Sequence, residues 1–214
     1  MSYRLVPVQG SSTQNDIAFR NVMEKFGYGN ADKKGVYFDE ENRRHLNSIR
    51  QSQAIIALNL AQQNKKDSAR KVLRKYDQMV REENMPYGLT SNRGNFHNRI
   101  SLTFLYAAYE SNDKELARKV AASIKKDLEQ QMKYYRTLGT ESLTNEELAN
   151  QASASLRQQP SSLSDEQGIF AQDIESSYSM LRQLEDLEKQ YGTAPVLNNK
   201  ESGPATLPAP GTPK

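Results

Sequence analysis

The chain has 214 residues, with 29 Lys and Arg against 26 Asp and Glu and a net charge of +3. The two signs are interleaved, so no basic stripe points to nucleic acid, and the absence of cysteine excludes disulfides and thiolate chemistry. Hydrophobic residues make up 36% and the mean hydropathy is −0.83, which fits one domain of amphipathic helices with polar tails; no run nears the roughly 18 apolar residues of a membrane span, and residues 1–10 lack the pattern of a secretion signal.

Residues 3–8 (YRLVPV) alternate apolar and polar side chains until Pro7 interrupts them, so residues 1–14 read as an extended N-terminal arm. Ile17, Phe19, Val22, Met23 and Phe26 then space like one face of a short helix, closed by the turn at 27–30 (GYGN). That turn lacks the glycine pattern and the Lys-Ser/Thr of a phosphate loop. Asp39 is placed to cap the next helix, with Glu40 and Glu41 in the first turn where the helix dipole favours negative charge.

This helix is expected over residues 39–63, with Leu46, Ile49, Gln53, Ile56, Ala57 and Leu60 inward. Arg43, Asn47 and Arg50 share another face at i, i+4 and i+7. The spacing reads either as an anion- or peptide-binding ridge or as a solvated face paired with Glu40 and Glu41. A partner helix follows from Asn64 to about residue 83, where Pro86 forbids continuation. Residues 85–95 are a long, glycine- and polar-rich connector, and such connectors often carry binding residues. Tyr37, Asp39, Arg43, Asn47, Arg50, Pro86 and Tyr87 are therefore the candidate partner-binding residues.

A helix near residues 95–111, apolar on most sides, reads as sandwiched between neighbours. Asn112 with Glu115 looks like a capping box for the next helix, which should end near Gly139 in a glycine cap. Thr144 with Glu147 and Ser164 with Gln167 form two further boxes. From the second, one long C-terminal helix runs through Phe170, Ile174, Ser177, Leu181, Leu184, Leu187 and Tyr191, packed on the earlier hairpins or self-associating as a coiled coil. Residues 192–214, rich in proline and without aromatics, read as a disordered tail.

The organising feature is a repetition. Asn64, Lys66, Ala69, Arg70, Lys71 and Val72 recur as Asn112, Lys114, Ala117, Arg118, Lys119 and Val120, an offset of 48 residues. A two-helix unit written twice predicts an all-α superhelix of stacked hairpins over residues 15–191. No catalytic constellation accompanies it. His45 and His97 have no metal-ligand spacing, and no nucleophile motif occurs, so no catalytic residue, metal or cofactor is assigned.

The succession YRLVPV (3–8), FRNVMEKFGYGN (19–30), VYFDEENRR (36–44), the Asn64 hairpin and MPYG (85–88) resembles the soluble C-terminal, tetratricopeptide-like region of a bacterial family of protein O-mannosyltransferase-like multi-span membrane proteins, a domain of unknown function. Where members of that family often carry Trp in the GYGN-like turn, this chain has Tyr28. The resemblance spans about residues 3–126 and implies a fragment of a longer protein, on the periplasmic face of the inner membrane, with glycosyl transfer in the missing membrane part. No catalytic residue carries over. The expected role is a non-catalytic protein-interaction or substrate-presenting domain, whose partner is a protein, a peptide or the parent's membrane domain. A purely structural or oligomerising soluble adaptor is the alternative.

Overall fold

The computed structural model describes residues 11–90, 94–139 and 142–192. It is all-α among these residues: α1 (Ser11–Glu24), α2 (Glu40–Gln62), α3 (Lys66–Met79), α4 (Phe96–Glu110), α5 (Lys114–Thr137), α6 (Asn145–Leu156), α7 (Asp165–Ile169) and α8 (Ala171–Gly192). The extended arm expected over 1–14 is corrected at its end, because residues 11–14 already belong to α1; residues 1–10 and the tail 193–214 lie outside the described residues.

The repetition in the sequence is a repetition of geometry. Asn64 and Asn112 both adopt the left-handed conformation, at φ 61° and 60°, which asparagine tolerates better than most residues. At the first turn the Asn64 N–H donates to the Ala61 carbonyl and the Lys65 N–H to the Leu60 carbonyl, both at 2.9 Å. At the second, Asn112 donates to Tyr109 at 2.8 Å and Asp113 to Ala108 at 2.9 Å, the same bonds 48 residues later. Each is a Schellman closure, which satisfies carbonyls that a helix end leaves free. Gln158 (φ 57°) and Gln159 close α6 in the same way, on Ser155 and Ala154.

Asn112 is thus not the cap expected of it. Asp113 caps α5 by accepting from the Leu116 N–H at 3.3 Å, and Arg74 of α3 grips the same carboxylate at 2.7 and 2.8 Å, tying one hairpin to the next. Asn64→Ala and Asn112→Ala should each lower stability by about 1 kcal/mol, since a β-carbon is disfavoured in the left-handed region. Chemical denaturation of the single and double variants checks this; a double variant as stable as the parent chain would contradict it.

Three other expectations change. Helix α3 stops at Met79 rather than near residue 83, because Val80 turns extended and the Arg81 N–H donates to the Ala31 carbonyl at 3.0 Å. Gly139 does not cap α5 with a positive φ; it is glycine because a β-carbon there would collide with the Gln167 side chain. The single C-terminal helix is two, separated at Phe170, with the Ser164–Gln167 box opening only the short α7. The Gln167 amide meanwhile donates to the Tyr135 carbonyl at 3.0 Å, anchoring α7 to the end of α5. The Thr144–Glu147 box forms as expected.

The hairpins α2–α3 and α4–α5 stack through α2 against α4, and α8 packs on α5, α6 and, more lightly, α4. Arg99 meets Ser176 near the starts of α4 and α8, while Tyr106 and Tyr109 meet Tyr191 near their ends, so these two helices run the same way. A polar seam holds α8 in place. The Asn95 amide donates to the Ser177 hydroxyl at 2.8 Å, that hydroxyl lies 3.0 Å from Gln131 Oε1, and the Gly94 N–H donates to Asp173 at 2.6 Å. Ile174, Met180, Leu181 and Leu184 are buried around it.

Candidate functional site

The ridge read from Arg43, Asn47 and Arg50 is not a surface. Arg50 is 0% exposed and forms the centre of the core between the two hairpins. Its Nε donates to the Tyr76 hydroxyl at 3.1 Å, Nη1 to Ser101 Oγ at 2.8 Å, and Nη2 to the Met85 and Pro86 carbonyls at 2.9 and 3.0 Å. Its guanidinium stacks 5.2 Å from the Tyr76 ring centre and 4.8 Å from that of Tyr87, a favourable cation–π arrangement. No carboxylate touches it among the described residues.

The register 46, 50, 53, 57, 60 puts Arg50 on the inner stripe of α2, where Leu46, Gln53, Ala57 and Leu60 are also buried. Asn47, 1% exposed, adjoins it. Solvent exposure is therefore lost to both, and the anion- or peptide-binding ridge is withdrawn. Arg43 is half-buried, and Asp39 serves as the helix cap, accepting from the Asn42 N–H at 2.8 Å. Tyr37, at 83% exposure, and Asp39 are the exposed members of the set.

The connector that carries Pro86 and Tyr87 is likewise committed to structure. Tyr87 is buried and donates to Asp77 at 3.0 Å; burial, then Asp77, push its hydroxyl pKa well up. Burial also raises the Tyr76 pKa, against a lowering by Arg50. The Gly88 N–H donates to Ser123 Oγ at 3.1 Å, Leu89 N–H to Asn98 Oδ1 at 3.0 Å, and Thr90 to Asp127 at 3.0 Å. These bonds hold residues 88–90 against α4 and α5. Tyr28, in the turn at 27–30, is buried too; it meets Tyr76 edge-on and accepts from Gln53.

His97, at the start of α4, lies close enough to the α2 cluster to feel Arg43 and Arg50, a neighbourhood that no local sequence signal reveals. It is 3% exposed with Nδ1 unpartnered, as are both amide atoms of Asn47 and Nε of Arg43. Its pKa is lowered, first by burial and then by the positive charges of Arg50 and Arg43, with Glu40 opposing and Arg44 adding. The unfolded chain thus binds this proton at a higher pH than the folded one. The stability His97 permits is complete above its ordinary pKa of 6.5 and falls as the pH drops below it. An NMR titration should place the His97 midpoint below 6.5, and a value at or above 6.5 would contradict this environment.

An open groove of about 660 Å³ lies between α4 and α8. Arg99, Leu102, Thr103 and Tyr106 form its α4 side, while Met180 and Leu187 add apolar surface from α8. Glu175, Ser179, Gln183, Asp186 and Gln190 recur along the α8 side at helical spacing. At its far end Tyr191 stacks on Tyr109 with ring centres 4.7 Å apart and bonds Glu110, which pins the last turn of α8. None of the residues proposed from sequence lines this groove. Its signal was the pattern of exposed residues on α4, which has meaning only once α8 is known to lie alongside.

Among the described residues no three His, Cys, Asp or Glu side chains gather as a metal-holding group, and no helix is long and apolar enough to cross a membrane. Comparison with models of known protein families, with curated proteins and with solved structures finds no match to this chain.

Proposed function

We propose that this chain is a non-catalytic interaction or substrate-presenting domain, a tetratricopeptide-like α–α superhelix that receives an extended polypeptide in the α4–α8 groove. On this reading α2–α3 and α4–α5 are two repeats, and α8 takes the place of the next inner helix. The observation that carries it is the pair of Asn turns, identical in backbone bonding 48 residues apart, which makes the two hairpins equivalent units. Stacked equivalent hairpins create extended surfaces without any single large cavity. The groove, half apolar and lined by hydroxyls and amides, suits a peptide backbone and its side chains. The resemblance to membrane glycosyltransferase-like proteins supports a setting in which such a domain, on the periplasmic side, presents a polypeptide to its parent.

The alternative of an oligomerising adaptor built on the last helix has less behind it. The apolar seam of α8 packs on α5 and α6, with Ile174, Leu181 and Leu184 buried there, which leaves less of it for a coiled coil. Selection of a random displayed peptide library on the full chain tests the proposal. Enriched peptides should lose binding to Tyr106→Ala and Leu102→Glu variants, each shown to keep its helical signal. No enrichment, or peptides indifferent to both substitutions, would overturn it.

A further inference from the structure

We infer that the α4–α8 groove selects extended segments in which an apolar side chain lies between two cationic ones, an assignment that rests on the interaction-domain reading above. Leu102 and Met180 are buried, and Leu187 half-buried, so the groove offers one apolar anchoring place with Tyr106 at its margin. Along the α8 side the charge is negative at both ends. Glu175 is exposed and makes no ion pair among the described residues. Asp186 is 71% exposed, and among the described residues its ion-pair contact is with Lys189 at 3.9 Å.

The two acids are separated by three turns of helix, about 16 Å at 1.5 Å per residue. An extended peptide advances about 3.3 Å per residue, so it covers that distance in about five residues. Met180 falls between the acids in the sequence of α8, which places the apolar anchor between the two charges. Ser179 and Gln183 lie there as well, with a hydroxyl and an amide for the backbone of a bound segment.

Arg99 is the cation lining the groove, and it sits at the Glu175 end, donating to Ser176 Oγ at 3.3 Å. Asp186, whose Lys189 contact is long at 3.9 Å and exposed, keeps its negative charge available to a ligand. Exposed charge pairs contribute little affinity each. Their effect is on discrimination between ligands, while apolar burial supplies most of the binding.

Fluorescence anisotropy with the full chain and three labelled decapeptides tests the assignment. The first has a central Leu with a Lys two positions to either side, so that all three side chains of an extended segment share one face, the second replaces both Lys by Glu, and the third replaces the Leu by Ser. The Lys peptide should bind about tenfold tighter than the Glu peptide at low salt, and the Ser peptide should also bind more weakly. Added salt should narrow the charge difference. The double variant Glu175→Lys with Asp186→Lys changes two exposed positions and should reverse the preference.

Equal affinities, a preference the double variant leaves untouched, or no binding of any of the three overturns the ligand class. If library-selected peptides still require Tyr106 and Leu102, the interaction reading stands without it. If those too are indifferent, both fall.

Discussion

Arg50→Ala lowers the unfolding free energy by about 4 kcal/mol, as read by urea denaturation followed by far-UV circular dichroism. Two effects add. The substitution empties a large fully buried site, and core truncations of that size cost about 2–5 kcal/mol. It also takes the Arg50 donor from the Met85 and Pro86 carbonyls, and each unmet buried group costs about 1–3 kcal/mol where water cannot replace the donor; the Tyr76 and Ser101 hydroxyls keep their bonds to the Leu46 and Tyr87 carbonyls.

An opposing effect must be weighed. Burying a guanidinium with only neutral partners carries a desolvation penalty of several kcal/mol, so a neutral replacement recovers part of the loss. Arg50→Met, which fills volume and removes the charge, should therefore cost less than Ala, about 2 kcal/mol. Arg50→Lys keeps the charge but cannot bond four oxygens from one planar fork, and should be no better than Met. A change below 1 kcal/mol for Ala would show that Arg50 is not the hub between the hairpins.

Gly88→Ala ranks next in effect, at about 3 kcal/mol, the upper end for overpacking. A β-carbon at this position would overlap the Ser123 carbonyl and lie 2.8 Å from Cβ of Asp127. The obstacle is the backbone of α5, which cannot yield as a side-chain tip can. The variant must lift the connector off α5 and with it break the Gly88–Ser123 and Thr90–Asp127 bonds. Gly94→Ala is the natural control: no atom lies near, and only its φ of 78° is strained, so about 1 kcal/mol is expected. Equal effects for the two would argue that Gly88 is not pressed against α5. Amide exchange of residues 85–90, faster in Gly88→Ala alone, gives an independent reading.

The parts of the molecule legible in the sequence are those set by local chemistry. The 3.6-residue period placed most helices, and the Thr144–Glu147 and Ser164–Gln167 spacings marked two helix starts that form as boxes. Asn64 and Asn112 announced the duplicated turn, although the left-handed bend, rather than capping, is what the turn needs from asparagine. Arg50 was misjudged because a charged residue on a helix normally turns to water. Its burial depends on oxygens from Met85, Pro86 and Ser101, 35 to 51 residues away, and no local pattern reveals that convergence.

Ser177 in the α8 seam has the same lesson in reverse. It interrupts the apolar pattern and weakens any coiled-coil reading, yet it is the residue through which Asn95 and Gln131 fix α8 in position. The groove exists only because α8 comes to lie beside α4, so residues some 80 positions apart share its surface. Periodicity identifies Leu102 and Met180 as inward residues of their own helices but cannot say that they face one space.

The most direct test of the central claim is methyl and backbone NMR of the full chain titrated with a library-selected peptide. Shifts should concentrate at Leu102, Thr103, Tyr106, Met180, Gln183 and Leu187, with the Arg50 core and the 85–90 connector unmoved. Shifts confined to another face, or none at saturating peptide, would contradict the α4–α8 groove as the place where this domain meets its partner.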